Sequence, residues 1–72
     1  MEIEKEYVSS SNIEAVGYDG DSQILRIWFL NGSTYDYSGV GSMEYEALRD
    51  APSVGSYLHQ NIKGQYPYEK VG

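Results

Sequence analysis

The fold of this chain is decided by residues 24–37, which read ILRIWFLNGSTYDY. β-Branched and aromatic residues dominate both ends of this stretch, a composition typical of β-strands. Asn31-Gly32 separates the two ends and is a strong hairpin signal. We therefore predict one strand from Ile24 to Leu30 and a second from Thr34 to Tyr37, joined by a tight turn.

Two registers are open to this hairpin, and the side chains distinguish them. A two-residue loop places Asp36 opposite Ile27 and forces a carboxylate onto an apolar face, which costs free energy. A three-residue loop, with Gly32 in the left-handed position of a bulge, places Arg26 opposite Asp36, a pairing worth about 0.2–1 kcal/mol. We predict the bulged register. One face then carries Leu25, Ile27, Phe29, Tyr35 and Tyr37, and the other carries Ile24, Arg26, Trp28, Leu30, Thr34 and Asp36.

The flanking segments predict one further strand and two helices. Residues 13–18 read as a strand before the hairpin. Ser42 is the expected N-cap of a first helix over residues 43–49, whose inward stripe is expected to be Met43, Ala47 and Leu48. Ser53 is the expected N-cap of a second helix, from Val54 to about Lys63. Its inward stripe follows the i, i+4, i+8 spacing of Val54, Leu58 and Ile62, and Gly64 ends it.

These elements predict an α+β fold: a small antiparallel three-stranded meander with two short helices packed on one face. Residues 66–71 allow a short fourth strand, which Pro67 confines to an edge. The expected organisation is a charged N-terminal arm over residues 1–10, in which Ile3, Tyr7 and Val8 can contact the body, and a single domain over residues 11–72.

Composition excludes several function classes. Eleven acidic residues against five basic ones give a net charge of −6, which suits a compact ligand better than a long nucleic-acid duplex. With no cysteine and one histidine, the chain has no ordinary zinc site, and we expect neither metal nor cofactor. No apolar run is long enough to span a membrane, so a cytoplasmic protein is expected.

Several short motifs follow one another in a distinctive order and spacing along the chain. They are Ser11-Asn12-Ile13, Val16-Gly17-Tyr18-Asp19, Phe29, Gly32, Tyr35-Asp36-Tyr37, Val40, Ala51, Ser53, Gly55 and Ile62-Lys63-Gly64-Gln65-Tyr66. In this order and spacing they resemble the KTSC domain, a module named for the C-terminus of some lysyl-tRNA synthetases and also found as free-standing bacterial and phage proteins. The resemblance implies, as a family proposal, contact with RNA or nucleotides.

Three groups of residues are candidate sites, and each has a structural alternative. Tyr35 and Tyr37 either offer a stacking platform for bases or pack beneath the helices. Ser53 and Gly55 either bind an anion at a helix N-terminus or serve only as a cap. Lys63 is the best single phosphate partner. With Asn12 and Tyr66, the expected ligand-binding set is Asn12, Tyr35, Tyr37, Ser53, Gly55, Lys63 and Tyr66.

The third candidate is an apolar stripe on the face away from the helices, formed by Ile24, Trp28 and Leu30. A stripe that contains the only tryptophan is typical of a contact surface, unless the N-terminal arm or the C-terminal tail covers it. Self-association into a dimer or higher homo-oligomer is the expected use. His59 lacks a nucleophile or an orienting acid in the sequence pattern, so we expect a surface histidine and no catalysis.

The leading hypothesis is therefore a non-catalytic binding module for RNA or a nucleotide. The alternative is a small acidic interaction protein of the phage anti-defence type. Such a protein would bind a protein partner through the Trp28 face or sequester a nucleotide signal.

Overall fold

The structure, a computed structural model, describes residues 3–72. Met1 and Glu2, part of the predicted N-terminal arm, lie outside the described residues. Five antiparallel strands form one sheet in the order β1-β2-β3-β4-β5. The elements are β1 (Glu6–Tyr7), β2 (Ile13–Asp19), β3 (Ile24–Phe29), β4 (Thr34–Ser38), α1 (Ser42–Arg49), α2 (Val54–Tyr57), a π-helical turn (Leu58–Ile62) and β5 (Tyr68–Lys70).

The predicted α+β class and the three central strands are confirmed, but the predicted strand count is too low. A short edge strand does form within residues 66–71, where β5 pairs with β4. The unpredicted strand is β1, whose Glu6 and Tyr7 pair with Val16 and Ala15 of β2. Two residues are too few to show the alternation by which a strand is recognised.

The bulged hairpin register is confirmed. Arg26 pairs with Asp36 and Ile27 with Tyr35. The Phe29 N–H donates to the Ser33 carbonyl at 2.8 Å, and Gly32 has a φ of +93°, in the left-handed region that glycine adopts without strain. We call the sheet face that carries Leu25 and Ile27 the inner face, and the one that carries Arg26 and Trp28 the outer face.

Both helices lie against the inner face, and the core forms between them. Val54, Leu58 and Ile62 are all buried, as their spacing predicts. They meet apolar residues of the three central strands and of the loop that follows. The core cluster consists of Ile13, Val16, Leu25, Ile27, Tyr37, Val40, Leu48, Val54, Leu58 and Ile62.

The first helix differs from its prediction in two respects. Ser42 is its first residue, and the N-cap is Gly41, which has no side chain to cap with. Of the predicted inward stripe, Leu48 is buried as expected, but Met43 is 84% exposed and Ala47 is exposed too, so the prediction was wrong for these two. Met43 and Ala47 share one stripe by their i, i+4 spacing, whereas Leu48 shares its stripe with Tyr45, whose ring stacks on Tyr18 at 5.0 Å.

The second helix begins as predicted and ends in an unpredicted way. The Ser53 hydroxyl accepts from the Ser56 N–H at 3.3 Å, which confirms the N-cap. From Leu58 onward the backbone is π-helical, and the Lys63 N–H donates to the Leu58 carbonyl at 2.8 Å, five residues back. Gly64 then ends the segment with a φ of +81°.

Part of the outer face is covered by the segment that precedes β1. A Cβ atom on Gly17 would lie 2.5 Å from Ile3 Cγ2 and 2.5 Å from the Glu4 carbonyl oxygen. The same Cβ would lie 3.1 Å from Trp28. Lys5 Nζ sits 5.4 Å from the centroid of the Trp28 ring. A side chain at position 17 would therefore collide with the Ile3 side chain and the Glu4 backbone, which lie directly over Gly17.

Candidate functional site: an aromatic cavity on the inner face

A cavity of about 820 Å³ opens on the inner face, beside the end of the second helix. A volume of this size lies within the range of small-molecule sites, roughly 300–1,000 Å³. We call it the aromatic cavity and define it by six of its lining residues. These are Asn12, Phe29, Tyr35, Tyr37, Lys63 and Tyr68.

Four rings from three neighbouring strands form the wall of the aromatic cavity. The Phe29 and Tyr35 rings meet edge to face, with centroids 5.6 Å apart. The Tyr68 ring lies 5.7 Å from that of Tyr35 and 5.8 Å from that of Tyr37. These distances are typical of favourable aromatic contacts. The β4–β5 pairing that places Tyr68 opposite Tyr37 thus completes a cluster of rings that contact one another edge to face or at a tilt.

The rings differ in how far they reach into solvent. Tyr37 is 3% exposed and belongs to the core, Tyr35 is half-buried, and Tyr68 is 64% exposed. Burial is the main cause that raises the pKa of the Tyr37 phenol, and the nearby Tyr35 and Tyr68 raise it further. Tyr37 is therefore a neutral phenol at physiological pH. Tyr35 and Tyr68 are left to offer ring surface to a ligand.

Lys63 supplies the charge of the cavity. Its Nζ lies 5.6 Å from the centroid of the Phe29 ring, at a distance that permits a cation–π contact. Lys63 directly follows the π-helical turn, and its N–H donates to the Leu58 carbonyl at 2.8 Å. Among the residues of the described chain that line the cavity, Lys63 carries the only charged side chain.

Asn12 closes the polar end of the cavity. Its carbonyl accepts from the Leu30 N–H at 2.9 Å, which ties it to the hairpin. Its Oδ1 accepts from the Ser10 hydroxyl at 3.1 Å. A Cβ on Gly55 would lie 3.0 Å from that same Oδ1, so the space beside Gly55 is occupied by the Asn12 carboxamide.

Ser53 and Gly55 lie in a separate, polar cavity of about 420 Å³. Its lining also includes Ser10, Ser11 and His59. The Ser53 hydroxyl is engaged with the backbone and hydroxyl of Ser56. His59 is exposed. The structure thus brings Asn12, Tyr35, Tyr37 and Lys63 together and places Ser53 and Gly55 in a neighbouring cavity, where Gly55 lies beside the Asn12 carboxamide.

Tyr66 also lies outside the aromatic cavity. Its hydroxyl donates to Glu44 Oε1 at 3.2 Å, and the hydroxyl of Tyr57 donates to the other oxygen of the same carboxylate. Burial and the hydrogen bond to Glu44 raise the pKa of Tyr66, and for Tyr57 the hydrogen bond to Glu44 is the main cause of a raised pKa. One carboxylate thus joins α1, α2 and the C-terminal segment.

Two residues of the cavity wall, Phe29 and Tyr68, were absent from the predicted ligand-binding set. The predicted hairpin register already placed Phe29 on the same face as Tyr35. That register was therefore enough to include Phe29 in the ligand-binding set. Tyr68 could be found only from a pairing between β5 and β4, since Tyr66-Pro67-Tyr68 carries no signal of its register. Because β4 and β5 are far apart in the sequence, no local pattern predicts that they pair.

The predicted outer stripe is divided in the structure. Leu30 is 58% exposed but lies in the hairpin loop, where it borders the aromatic cavity. Trp28 is half-buried with Lys5 over its ring, and Ile24 is half-buried. Self-association through these three residues stays a prediction.

The part of the chain that the structure describes has neither a metal-ligating cluster of side chains nor a membrane-spanning helix. Within residues 3–72, no three or more histidine, cysteine, aspartate or glutamate side chains cluster so as to hold a metal ion. No helix in this range has the length and apolar character needed to cross a membrane.

Comparison with known proteins identifies the family. The KTSC domain family matches residues 9–66. A solved structure of a KTSC domain protein from Yersinia pestis superposes with a TM-score of 0.92 at 36% identity, covering 99% of this chain and 100% of the other. The similarity therefore extends over the whole fold, including the strands that form the aromatic cavity.

The chain is similar in sequence to proteins of two kinds, lysine–tRNA ligases and short proteins of about its own length. A lysine–tRNA ligase from a Nostoc species is 43% identical over 61 residues, which are 85% of this chain and 11% of the ligase. The chain thus spans about a tenth of the length of the curated ligases that it matches. An uncharacterised protein from Stutzerimonas stutzeri is 36% identical over 65 residues, covering 89% of this chain and 92% of that protein. The chain belongs to the KTSC domain family.

Proposed function

We propose that this KTSC domain is a non-catalytic module that binds a nucleotide or a short stretch of single-stranded RNA in the aromatic cavity. One observation carries the proposal: the exposed ring surface of Tyr35 and Tyr68 lies in the same cavity as the ammonium group of Lys63. A base stacks on the rings, and a phosphate pairs with Lys63. Asn12 and Asn31 supply uncharged hydrogen-bonding groups at the other end.

Two further features support a compact ligand. The net charge of −6 disfavours a long polyanion, because binding to a duplex depends on neutralising many phosphates. The lysine–tRNA ligase relatives act on tRNA by their name, which makes an RNA ligand a reasonable choice for the shared domain. Catalysis finds no support in the cavity, since its lining includes no carboxylate or histidine that could form an acid–base pair.

Calorimetric titration with mononucleotides and short single-stranded RNA, at low and at moderate salt, tests the proposal. Tyr68→Ala should weaken binding by about 1–3 kcal/mol, the usual value of one base–aromatic stack. Tyr7→Ala is the matched control, because Tyr7 is 69% exposed and Tyr68 64% exposed, on strands at opposite edges of the sheet. The control should bind like the parent chain.

Lys63→Ala should weaken binding and reduce its salt dependence, since one phosphate contact is lost. Lys5→Ala removes the same charge from the outer face and should leave affinity almost unchanged. Absence of binding by any nucleotide or RNA at low salt would overturn the proposal. Equal losses in Tyr68→Ala and Tyr7→Ala would place binding elsewhere on the surface.

A further inference from the structure

The cavity contains one positive charge and no negative charge, and this restricts the ligand further. Resting on the proposed function, we infer that the aromatic cavity selects phosphodiesters over nucleoside di- and triphosphates. A phosphodiester links two sugar oxygens and carries one negative charge. A terminal phosphate carries about two, and a polyphosphate carries more.

Charged groups are scarce in the lining of the aromatic cavity. Lys63 is the only charged side chain among the lining residues within 3–72, and the remaining polar groups are phenols, amides and hydroxyls. These groups donate and accept hydrogen bonds without adding charge. One ammonium compensates one negative charge, so a diester is matched and a polyphosphate is not.

The charges around the cavity also restrict the ligand. Lys70 pairs with Tyr35 across β4 and β5 and so shares its face of the sheet, but it does not line the cavity, and Glu69 pairs with Asp36 on the outer face. The whole chain carries a net charge of −6. The lining therefore offers no second ammonium to any charge on a ligand beyond the first, and the protein as a whole repels that charge.

The volume of the cavity is sufficient for a nucleoside next to a phosphate group. About 820 Å³ open beside the rings leaves room for a base and its sugar together with the diester. A cyclic mononucleotide, a dinucleotide and one step of an RNA strand all present this same pair of groups. The chemistry that is recognised is one stacked base next to one diester.

The experiment is a magnesium-free titration of the parent chain with 3′,5′-cyclic AMP, adenylyl-adenosine, an adenylate RNA oligomer, AMP and ATP. At least one diester ligand should bind on the order of tenfold more tightly than ATP at low salt, and the difference should shrink as salt screens the charges. AMP should fall between them. ATP binding as tightly as every diester overturns the inference but leaves the proposed function standing.

A gain-of-charge variant makes the test sharper. Leu30 borders the cavity and is 58% exposed, so Leu30→Lys adds a second ammonium without disturbing the core. It should raise affinity for ATP more than for the diesters and so reduce the preference. Tyr7→Lys makes the same change of net charge at the far edge of the sheet and should preserve the preference. An equal effect of both variants would overturn the inference.

Discussion

Arg26 and Asp36 form a bidentate ion pair on the outer face of the sheet. Arg26 Nε lies 2.6 Å from Asp36 Oδ1, and Nη2 lies 2.8 Å from Oδ2. The two residues are also direct partners in the β3–β4 ladder, and their side chains are only 22% and 13% exposed. The hydrogen bond to Asp36 is the main cause that raises the pKa of Arg26. The pair therefore joins the two strands where solvent screens it little.

We expect Asp36→Asn to lower the free energy of unfolding by about 1–3 kcal/mol, because the guanidinium loses its charged partner while still mostly buried. Urea denaturation measures the change. The control is the Lys5–Glu14 pair, which is 3.8 Å apart with side chains 37% and 38% exposed. Glu14→Gln should cost less than about 1 kcal/mol. Similar costs for the two substitutions would contradict the special role of Arg26–Asp36.

Gly17→Ala should detach residues 3–5 from the outer face. The added methyl carbon would lie 2.5 Å from both Ile3 and the Glu4 carbonyl, closer than real Cβ atoms come. We expect a loss of about 1 kcal/mol or more, as for other overpacked sites. A red shift of Trp28 fluorescence should accompany it, since the indole gains solvent. Both quantities are measured in one urea titration.

The matched control for that substitution is Gly20→Ala. A Cβ there would meet only a Tyr18 ring carbon at 3.7 Å, which is ordinary contact. Trp28 fluorescence should remain that of the parent chain. If Gly17→Ala leaves the fluorescence unshifted as well, residues 3–5 do not cover the indole in solution.

Glu44→Gln should loosen the contact between α1, α2 and the C-terminal segment. The Glu44 carboxylate accepts from both Tyr57 and Tyr66, and an amide is a weaker acceptor with only one suitable oxygen. We expect a loss of about 1–2 kcal/mol in urea denaturation. Glu46→Gln, on an exposed position of the same helix, should change stability by less than about 0.5 kcal/mol. Equal effects would contradict the role of Glu44.

Stability should fall in strongly alkaline solution, in part through Tyr45. Burial, followed by the hydrogen bond to Glu6, raises the pKa of Tyr45 from 10.0 to about 12, although Arg49 acts in the opposite direction. Between these two pH values the folded chain keeps a proton that the unfolded chain has lost. The contribution of the Tyr45 phenol to stability is therefore fully present below pH 10 and is lost as the pH rises towards about 12.

Tyr45→Phe should make this alkaline decrease shallower without abolishing it. The pKa values of Tyr18 and Tyr37 are raised as well, with burial as the main cause, so other phenols continue to contribute. Urea midpoints compared across the alkaline range give the result. An alkaline decrease equally steep in the variant and the parent would show that Tyr45 is not a contributor.

The central hairpin was predictable because two local facts determine its register. Gly32 permits the left-handed bulge, and the opposite charges of Arg26 and Asp36 select the pairing that keeps both on one face. Once the register is known, the shared face of Phe29 and Tyr35 follows from side-chain alternation. The buried Val54, Leu58 and Ile62 follow from helical spacing in the same way.

The remaining features depend on contacts between distant parts of the chain. Tyr68 joins the cavity because β5 pairs with β4, a partner about thirty positions away along the sequence. Tyr66 leaves the predicted site because its hydroxyl reaches Glu44 on the first helix. Met43 and Leu48 were both predicted to face inward, but only Leu48 is buried, on the helix stripe whose Tyr45 stacks on Tyr18 of the sheet. No local pattern contains this information.

The path of Ile3, Glu4 and Lys5 across Gly17 has a consequence for how this domain can be joined to other proteins. Ile3 and Glu4 lie on the side of the sheet that carries Trp28, and the aromatic cavity opens on the opposite side. We therefore expect an affinity tag fused upstream to leave the entrance beside Lys63 open to ligands.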